Sequence, residues 1–195
     1  AGLQLDLTDE ELSQLDCPQL DSLNIFGAAT DAGATHLSRF PRLTSLDLMD
    51  SCWTDAAVEH VAKIPHLRRM EFNSCPHITD AGIEHLKSHD ALMYLHICRC
   101  AAISDEAMRH AAKIPQLNHL AALFAPRITY EGVAALADSL IERLSIYKLP
   151  GVTGEGLGEL KRCDSLRGIM VGGPSYGDEV IPFLSELTQV TTIDL

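Results

Sequence analysis

The feature that most constrains this chain is a sequence pattern that returns about every 24 residues. A segment of the form L-x-x-L-x-L begins at eight positions, and successive copies are 23 to 25 residues apart. The leading residues are Leu20, Leu43, Leu67, Leu92, Leu117, Ile141, Leu166 and Val190. Because no copy of this length can bury its apolar residues alone, the copies are expected to stack on one another as a solenoid.

Each copy predicts one short strand followed by one helix. Apolar residues at repeat positions 1, 4 and 6, such as Leu67, Met70 and Phe72, point inward from a strand and its entry. A Thr or Ser then takes the place of a helix N-cap, where its hydroxyl accepts a bond from a free N–H group. These capping residues are Thr8, Thr30, Thr54, Thr79, Ser104, Thr129 and Thr153. The order predicts one parallel sheet of about eight strands, lined by one helix per repeat.

These repeats resemble leucine-rich repeats, and more narrowly the cysteine-containing subtype. Cys75 and Cys100 stand at position 9, the "ITD" and "ISD" segments at 78–80 and 103–105 match the corner that follows, and Cys17 precedes a leading Leu as C-x-x-L. Cys163 does the same before Leu166. The resemblance implies an α/β solenoid with the parallel sheet on its concave face and the helices on its convex face. Such repeats often follow an F-box in eukaryotic proteins, and the "TDAG" segments also resemble arrays of bacterial repeat proteins.

Two copies depart from the pattern and are expected to pack less regularly. The copy that begins at Leu117 has Ala122 at position 6, Ala125 at position 9, and Tyr130 where Asp is usual. The copy that begins at Leu166 has Pro174 at position 9 and "GGPSYGD" in place of the corner.

The repeat boundaries divide the chain into three parts. Residues 1–19 are predicted to be an amino-terminal capping half-repeat, with a helix and a shortened strand. Residues 20–189 hold seven repeats, and residues 190–195 begin a further, truncated one. A terminal repeat without a covering helix leaves an apolar flank and a sheet edge open. We therefore expect that the protein continues past Leu195 or self-associates through residues 166–195.

Charge and composition exclude several classes of function. Fifteen basic residues against 27 acidic ones give a formal net charge of −12, which argues against binding a nucleic-acid backbone. No stretch of about 18 apolar residues is present, so no membrane-spanning segment is predicted. The resemblance implies reduced, buried thiols, and hence a reducing, cytoplasmic location. No cofactor is predicted.

The segment Cys98-Arg99-Cys100, with His96 nearby, has the composition of a metal or thiol-catalysis site. Strand alternation places His96 and Cys98 on one face and Cys100 in the core. Two surface ligands fall short of a tetrahedral zinc site even if His119 lies nearby on the next strand. No catalytic or metal residue is therefore predicted. The alternative is an enzyme or enzyme subunit that uses His96, Cys98 and His119, or whose catalytic domain lies outside this chain.

The inner face of the predicted sheet comprises repeat positions 2, 3, 5, 7 and 8. It carries six acidic residues, mostly early in the chain, and six basic ones, mostly late, so the remainder of the protein holds the whole net charge of −12. The basic residues are Arg68, Arg69, Arg99, Arg143, Lys148 and Arg167. Aromatic residues beside arginines are typical of protein-binding surfaces. The predicted partner-binding residues are Asp47, Asp50, Glu71, Tyr94, His96, Arg99, His119, Phe124, Tyr147 and Lys148. The predicted function is a non-catalytic module that binds a protein or peptide, with no nucleic-acid or membrane partner.

Overall fold

The structure, a computed structural model, describes residues 2–50, 52–173 and 176–195. Within these residues, strands and α-helices alternate along the chain. The strands are Gly2–Asp6 (β1), Ser22–Phe26 (β2), Ser45–Met49 (β3), Arg69–Asn73 (β4), Tyr94–Cys98 (β5), His119–Leu123 (β6), Arg143–Tyr147 (β7), Gly168–Gly172 (β8) and Thr192–Asp194 (β9). The helices are Asp9–Gln14 (α1), Asp31–Ala34 (α2), Asp55–Val61 (α3), Asp80–His85 (α4), Asp105–Ala111 (α5), Tyr130–Ala134 (α6), Gly154–Glu159 (α7) and Ile181–Ser185 (α8). None of these helices has the length and apolar character needed to cross a membrane.

All nine described strands form one parallel sheet in chain order, each paired with the strand one repeat away. The register aligns equal repeat positions, so Met70 pairs with Leu95 and Leu95 pairs with Leu120. These side chains are fully buried between the sheet and the helices. The predicted α/β leucine-rich repeat solenoid is confirmed, with the sheet on the concave side and the helices on the convex side.

The amino-terminal segment differs from its prediction. β1 has five residues, as many as β2, and pairs with it over its whole length. The strand in residues 1–19 is therefore not shortened, and the sheet has nine strands rather than about eight. In the observed register Leu3 and Leu5 stand at positions 4 and 6, and position 1 would precede Ala1, so the full L-x-x-L-x-L template has no match here. The departure predicted at Pro174 lies outside the described residues.

The copy that begins at Leu117 keeps its strand register despite its substitutions. β6 pairs in step with both β5 and β7, and Ala122 and Ala125 are fully buried. The expected irregularity is absent from this strand. It is found instead at the helix corner, where Tyr130 replaces an aspartate.

The helix starts on the convex side are joined by a series of hydrogen bonds, here called the aspartate ladder. In each link, the backbone N–H and the hydroxyl of a capping Thr or Ser donate to the two carboxylate oxygens of an Asp in the preceding repeat, at 2.6–2.9 Å. The links are Asp9–Thr30, Asp31–Thr54, Asp55–Thr79, Asp80–Ser104 and Asp105–Thr129. Each of these hydroxyls also accepts a bond from an N–H of its own helix. The ladder therefore caps a helix and joins two repeats with the same side chains.

The aspartate ladder does not extend past Thr129 in the part of the chain that the structure describes. Tyr130 offers no carboxylate to the next capping residue, Thr153. Thr153 occupies the N-cap position of α7, but its side chain makes no capping hydrogen bond, so this predicted cap is wrong. The carboxylate that fixes the hydroxyl in the earlier repeats is missing here, which accounts for the difference.

The ladder predicts that replacing a capping Thr by Ala lowers the free energy of unfolding more in one repeat than in another. Thr79→Ala removes a helix cap and leaves a partly buried carboxylate oxygen of Asp55 without its hydroxyl donor, so it should cost about 1–2 kcal/mol. Thr153→Ala removes neither bond and should change the free energy of unfolding by less than about 0.5 kcal/mol. Urea denaturation followed by circular dichroism measures both. Equal losses in the two variants would show that the ladder does not stabilise the stack.

Candidate functional site

Nine of the ten residues predicted to bind a partner fall into two groups on the concave side of the sheet. The first, here called the central network, lies on β3 to β6 and holds Asp47, Glu71, Tyr94, His96 and His119. The second, here called the edge cluster, lies where β5, β6 and β7 end and holds Arg99, Phe124, Tyr147 and Lys148. Asp50 is exposed at the same edge, following β3.

Glu71 lies at the middle of the central network. Its Oε1 accepts a bond from Arg69 Nε at 2.6 Å, and its Oε2 is 3.0 Å from His96 Nδ1 on the paired strand. The hydrogen bond with His96 and the guanidinium of Arg69 hold the pKa of Glu71 below its usual range, against the opposing effect of burial. The carboxylate therefore has its charged partners on the same face.

The rest of the central network is also internally bonded. The guanidinium of Arg69 lies 3.7 Å from the ring centroid of Tyr94, and that ring makes an edge contact of 4.6 Å with His119. Asp47 accepts a bond from Asn73 Nδ2 at 2.8 Å, while burial raises its pKa. Most polar groups of this network thus already have partners within the protein.

The edge cluster is built around the ring of Phe124. Its centroid lies 4.7 Å from the Arg99 guanidinium carbon, 5.1 Å from Lys148 Nζ and 5.3 Å from the ring of Tyr147. Lys148 Nζ is also 5.4 Å from the Tyr147 centroid. Within the described residues, neither cation has a carboxylate partner. Two cations thus flank an aromatic pair, and both remain available for an acidic group from outside.

Glycines on the next strand make room for this cluster. A Cβ atom at Gly172 would lie 2.8 Å from Cδ2 of Tyr147, and one at Gly173 would lie 2.8 Å from Cγ of Lys148. The glycines of the "VGG" segment, which resemble turn residues in the sequence, therefore let both side chains lie close against β8.

The residue at repeat position 8 has a left-handed backbone in each of the seven complete repeats. Glycine provides this conformation at Gly27 and Gly173, as expected, with φ of 99° and 119°. The other members are Asp50, Ser74, Arg99, Phe124 and Lys148, with φ between 39° and 55°. The conformation lets each of these backbone N–H groups donate to the next strand, as Phe124 N does to Tyr147 O at 2.9 Å. For a residue with a Cβ it costs about 1–2 kcal/mol, which the surrounding structure must offset.

The structure does not assemble the alternative catalytic group. His96 bonds to Glu71, and His119 contacts Tyr94, so neither imidazole is oriented by a thiol. Cys98 is only 6% exposed, so its predicted surface position is wrong. Its small side chain lies between the larger Asn73 and Leu123 on the paired strands, and burial raises the pKa of its thiol. Among the described residues, no group of three or more His, Cys, Asp or Glu side chains is arranged to hold a metal ion.

A hollow on the late half of the face was not among the predicted sites. It has a volume of about 370 Å³ and is lined by residues that include His119, Arg143, Ser145, Arg167 and Asp194. Both arginines are among the basic residues that the repeat pattern places on the inner face, but that pattern indicates no role for them. The signal that identifies the hollow is the small residue opposite Arg143, which is Gly168.

Comparisons with known proteins agree with the fold. No family model and no curated protein matches the sequence. Among solved structures, a chain of the yeast Rad7–Elc1 complex has 20% identity and a TM-score of 0.66, with 91% of this chain and 52% of that chain covered. An internalin (inlF) of Listeria monocytogenes has 17% identity and a TM-score of 0.54, with 97% of this chain and 63% of that chain covered. This chain thus spans less than two-thirds of each, and the likeness shows a shared leucine-rich repeat fold.

The burial of the thiols predicts a fixed order of chemical reactivity. Thiolate is the reactive form, so exposure and a low pKa favour modification. Cys52 is exposed, whereas Cys98 is buried and its pKa is raised. We expect iodoacetamide at neutral pH to alkylate Cys52 at least about tenfold faster than Cys98. Peptide mass spectrometry over time measures the two rates. Faster alkylation of Cys98 would instead support a reactive thiol on the concave face.

Proposed function

We propose that this protein is a non-catalytic interaction module that binds a protein or peptide partner on the concave face of its sheet. The edge cluster is the observation that carries this proposal. Aromatic and arginine side chains dominate the binding energy of protein interfaces, particularly where they are held in place before binding. Here two rings and two cations meet at the ends of three adjacent strands.

The backbone supports the same conclusion. Three members of the edge cluster, Arg99, Phe124 and Lys148, have left-handed backbones although none is glycine. The same conformation recurs at position 8 of every complete repeat, so these three positions are distinguished by placing bulky side chains where such side chains are unusual. The conformation aims consecutive side chains along one edge and fixes their backbone through bonds to the next strand. The cluster therefore loses little conformational entropy on binding.

The two halves of the face differ in what they offer a partner. In the central network, Arg69 and Glu71 form an ion pair, and His96 bonds to the same carboxylate. In the edge cluster, the cations have no ionic partner among the described residues. The proposed interface therefore centres on the late half of the sheet. The net charge of −12 favours a protein partner over a nucleic acid.

We assign the repeats to the cysteine-containing subtype and the protein to a reducing, cytoplasmic compartment. Cys75 and Cys100 are both fully buried at position 9, and their thiols lie 3.2 and 3.6 Å from main-chain oxygens of the preceding repeat. Each therefore acts as a small apolar residue that also satisfies a buried carbonyl group. All six cysteines are free thiols in the described structure, which agrees with a compartment that keeps them reduced.

Replacement of the two aromatic rings tests the proposed interface. A partner captured by the full chain should lose affinity by more than about 1 kcal/mol for Phe124→Ala and again for Tyr147→Ala, because both remove contact area at the centre of the interface. Isothermal titration calorimetry gives the affinities. The half-exposed positions of both rings predict little change in thermal stability.

Met93→Ala is the matched control for these variants. Met93 is 39% exposed on the concave face, but it lies before β5 rather than at the edge cluster. Its replacement should leave the affinity within about 0.5 kcal/mol of the original. Unchanged affinity in both ring variants would move the interface to the convex surface or the loops.

We propose self-association through residues 166–195 as a second interaction. Large apolar side chains are exposed in this region, with Ile181 at 48%, Ile193 at 43% and Leu195 at 74%. Analytical ultracentrifugation should show a sedimentation coefficient that rises with concentration. Ile193→Thr should reduce this rise, because it lowers the apolar area available for association. Leu140→Thr, at a 64% exposed site outside the region, should not. A protein that is monomeric at every concentration contradicts the proposal.

A further inference from the structure

The hollow on the late half of the concave face combines positive charge with unoccupied space. Its volume is about 370 Å³, and Arg143 on β7 and Arg167 just before β8 both line it. Arg143 pairs in register with Gly168, so no side chain fills the place beside it. Ser145 and Ile169 contribute to the same wall. A volume of this size holds a side chain or a short peptide segment rather than a folded domain.

The two arginines have no ionic partner within the described residues. Arg143 makes no side-chain hydrogen bond there. Arg167 uses one nitrogen, Nη1, for the carbonyl oxygens of Asp164 and Leu166 at 2.6 and 2.9 Å, which holds its guanidinium in place and leaves its other donors unused. Ser145 adds a hydroxyl without a partner in the described structure. These donors line the same space, and within the described residues none of them bonds to an acceptor in that lining.

The other charged groups of the hollow do not cancel this positive charge. Desolvation, followed by the nearby guanidinium of Arg143, lowers the pKa of His119, which favours the neutral form of its ring. Asp194 is the one acidic residue in the lining, and it forms no ion pair with either arginine. Two guanidinium groups therefore face a single carboxylate that pairs with neither of them.

We propose that this hollow binds a side-chain carboxylate of the protein partner, so that the recognised segment is acidic. The proposal rests on the proposed function and names the chemistry of the partner. A guanidinium presents paired N–H groups that match the two oxygens of a carboxylate, and Ser145 supplies a further donor. The partner must enter as a flexible or protruding segment, because the hollow is too small for more.

The position of the hollow relative to the edge cluster adds a spacing requirement. Lys148 follows Arg143 by five residues along β7. At about 3.3 Å per residue, the two sites are about 17 Å apart. A partner that uses both must therefore place its carboxylate about five extended residues from the groups that contact Phe124 and Tyr147.

Nuclear magnetic resonance of the arginine side chains tests this assignment without a known partner. The full chain, labelled with nitrogen-15, is titrated with acetylated hexaglutamate, with hexaglutamine and with inorganic phosphate. Hexaglutamate should shift the Nε–Hε signals of Arg143 and Arg167 in a saturable way, whereas hexaglutamine should not. Arg68 serves as the reference, since it has the same repeat position as Arg167 and lies beside β4.

Two variants should change the affinity for hexaglutamate in opposite directions. Arg143→Gln should weaken hexaglutamate binding by at least about fivefold, because it removes a charge-assisted bond at an exposed site. Asp194→Asn should tighten it by about twofold, because it removes the one negative charge of the lining. Both residues are exposed, so neither change should disturb the core.

Several results overturn the inference. In the first, hexaglutamate shifts the signals of Arg99 or Arg68 more than those of Arg143 and Arg167. In the second, the Arg143→Gln variant binds hexaglutamate with unchanged affinity. In the third, inorganic phosphate binds the hollow more tightly than hexaglutamate does. Tighter binding of phosphate would show that the hollow recognises a phosphate group rather than a carboxylate. None of them affects the wider proposal, which depends on the Phe124 and Tyr147 variants. Conversely, carboxylate binding at Arg143 together with unchanged partner affinity in those ring variants would refute the edge cluster alone.

Discussion

Successive repeats are held in step by a carboxylate that reaches from one helix start to the next. Each aspartate of the ladder binds the N–H and the hydroxyl of the following capping residue, so the helix starts stack at the same spacing as the strands. This contact also brings the carboxylate close to the residue three positions after the next capping Thr or Ser, which is glycine in three of the repeats. A Cβ atom at Gly33, Gly82 or Gly132 would lie 2.4–2.5 Å from a carboxylate oxygen of the preceding repeat. Alanine occupies the same place at Ala57 and Ala107, where the bonds from Thr54 and Ser104 to the preceding aspartates remain at 2.6–2.9 Å, so the ladder accommodates either small residue.

The repeat period predicts most of the fold because it specifies which residues face inward and which strands are neighbours. The position-4 residues Met70, Leu95 and Leu120 pair as their spacing requires. The period does not reveal what the aspartates do, because each one acts on a residue about 24 positions later. Sequence reasoning identifies Thr79 as a local cap but not as the link to Asp55. β1 is predicted too short for a simpler reason, since only the apolar positions 4 and 6 of its template, Leu3 and Leu5, fall within the sequence.

The candidate site is harder to predict, because its geometry arises from the sheet rather than from local preference. A left-handed backbone is normally predicted only at glycine. This rule identifies Gly27 and Gly173, but it does not identify Phe124 and Lys148. At those positions the bond from each N–H to the next strand imposes the conformation. The composition of the face did indicate the aromatic and basic residues. Their mutual contacts, and the burial of Cys98, depend on the side chains of neighbouring strands.

The break in the aspartate ladder and the proposed interface lie in the same part of the chain. After Tyr130, small residues replace the regular pattern on both sides of the repeat. On the convex side, a Cβ at Gly156 would lie 2.7 Å from Cβ of Tyr130. On the concave side, Gly168 and Gly172 leave room for the hollow and for Tyr147. Positions that break a regular pattern without a gain in stability are where function is expected. The early repeats thus form a regular, internally bonded stack, and the later ones depart from that pattern where two rings meet cations that have no carboxylate partner among the described residues.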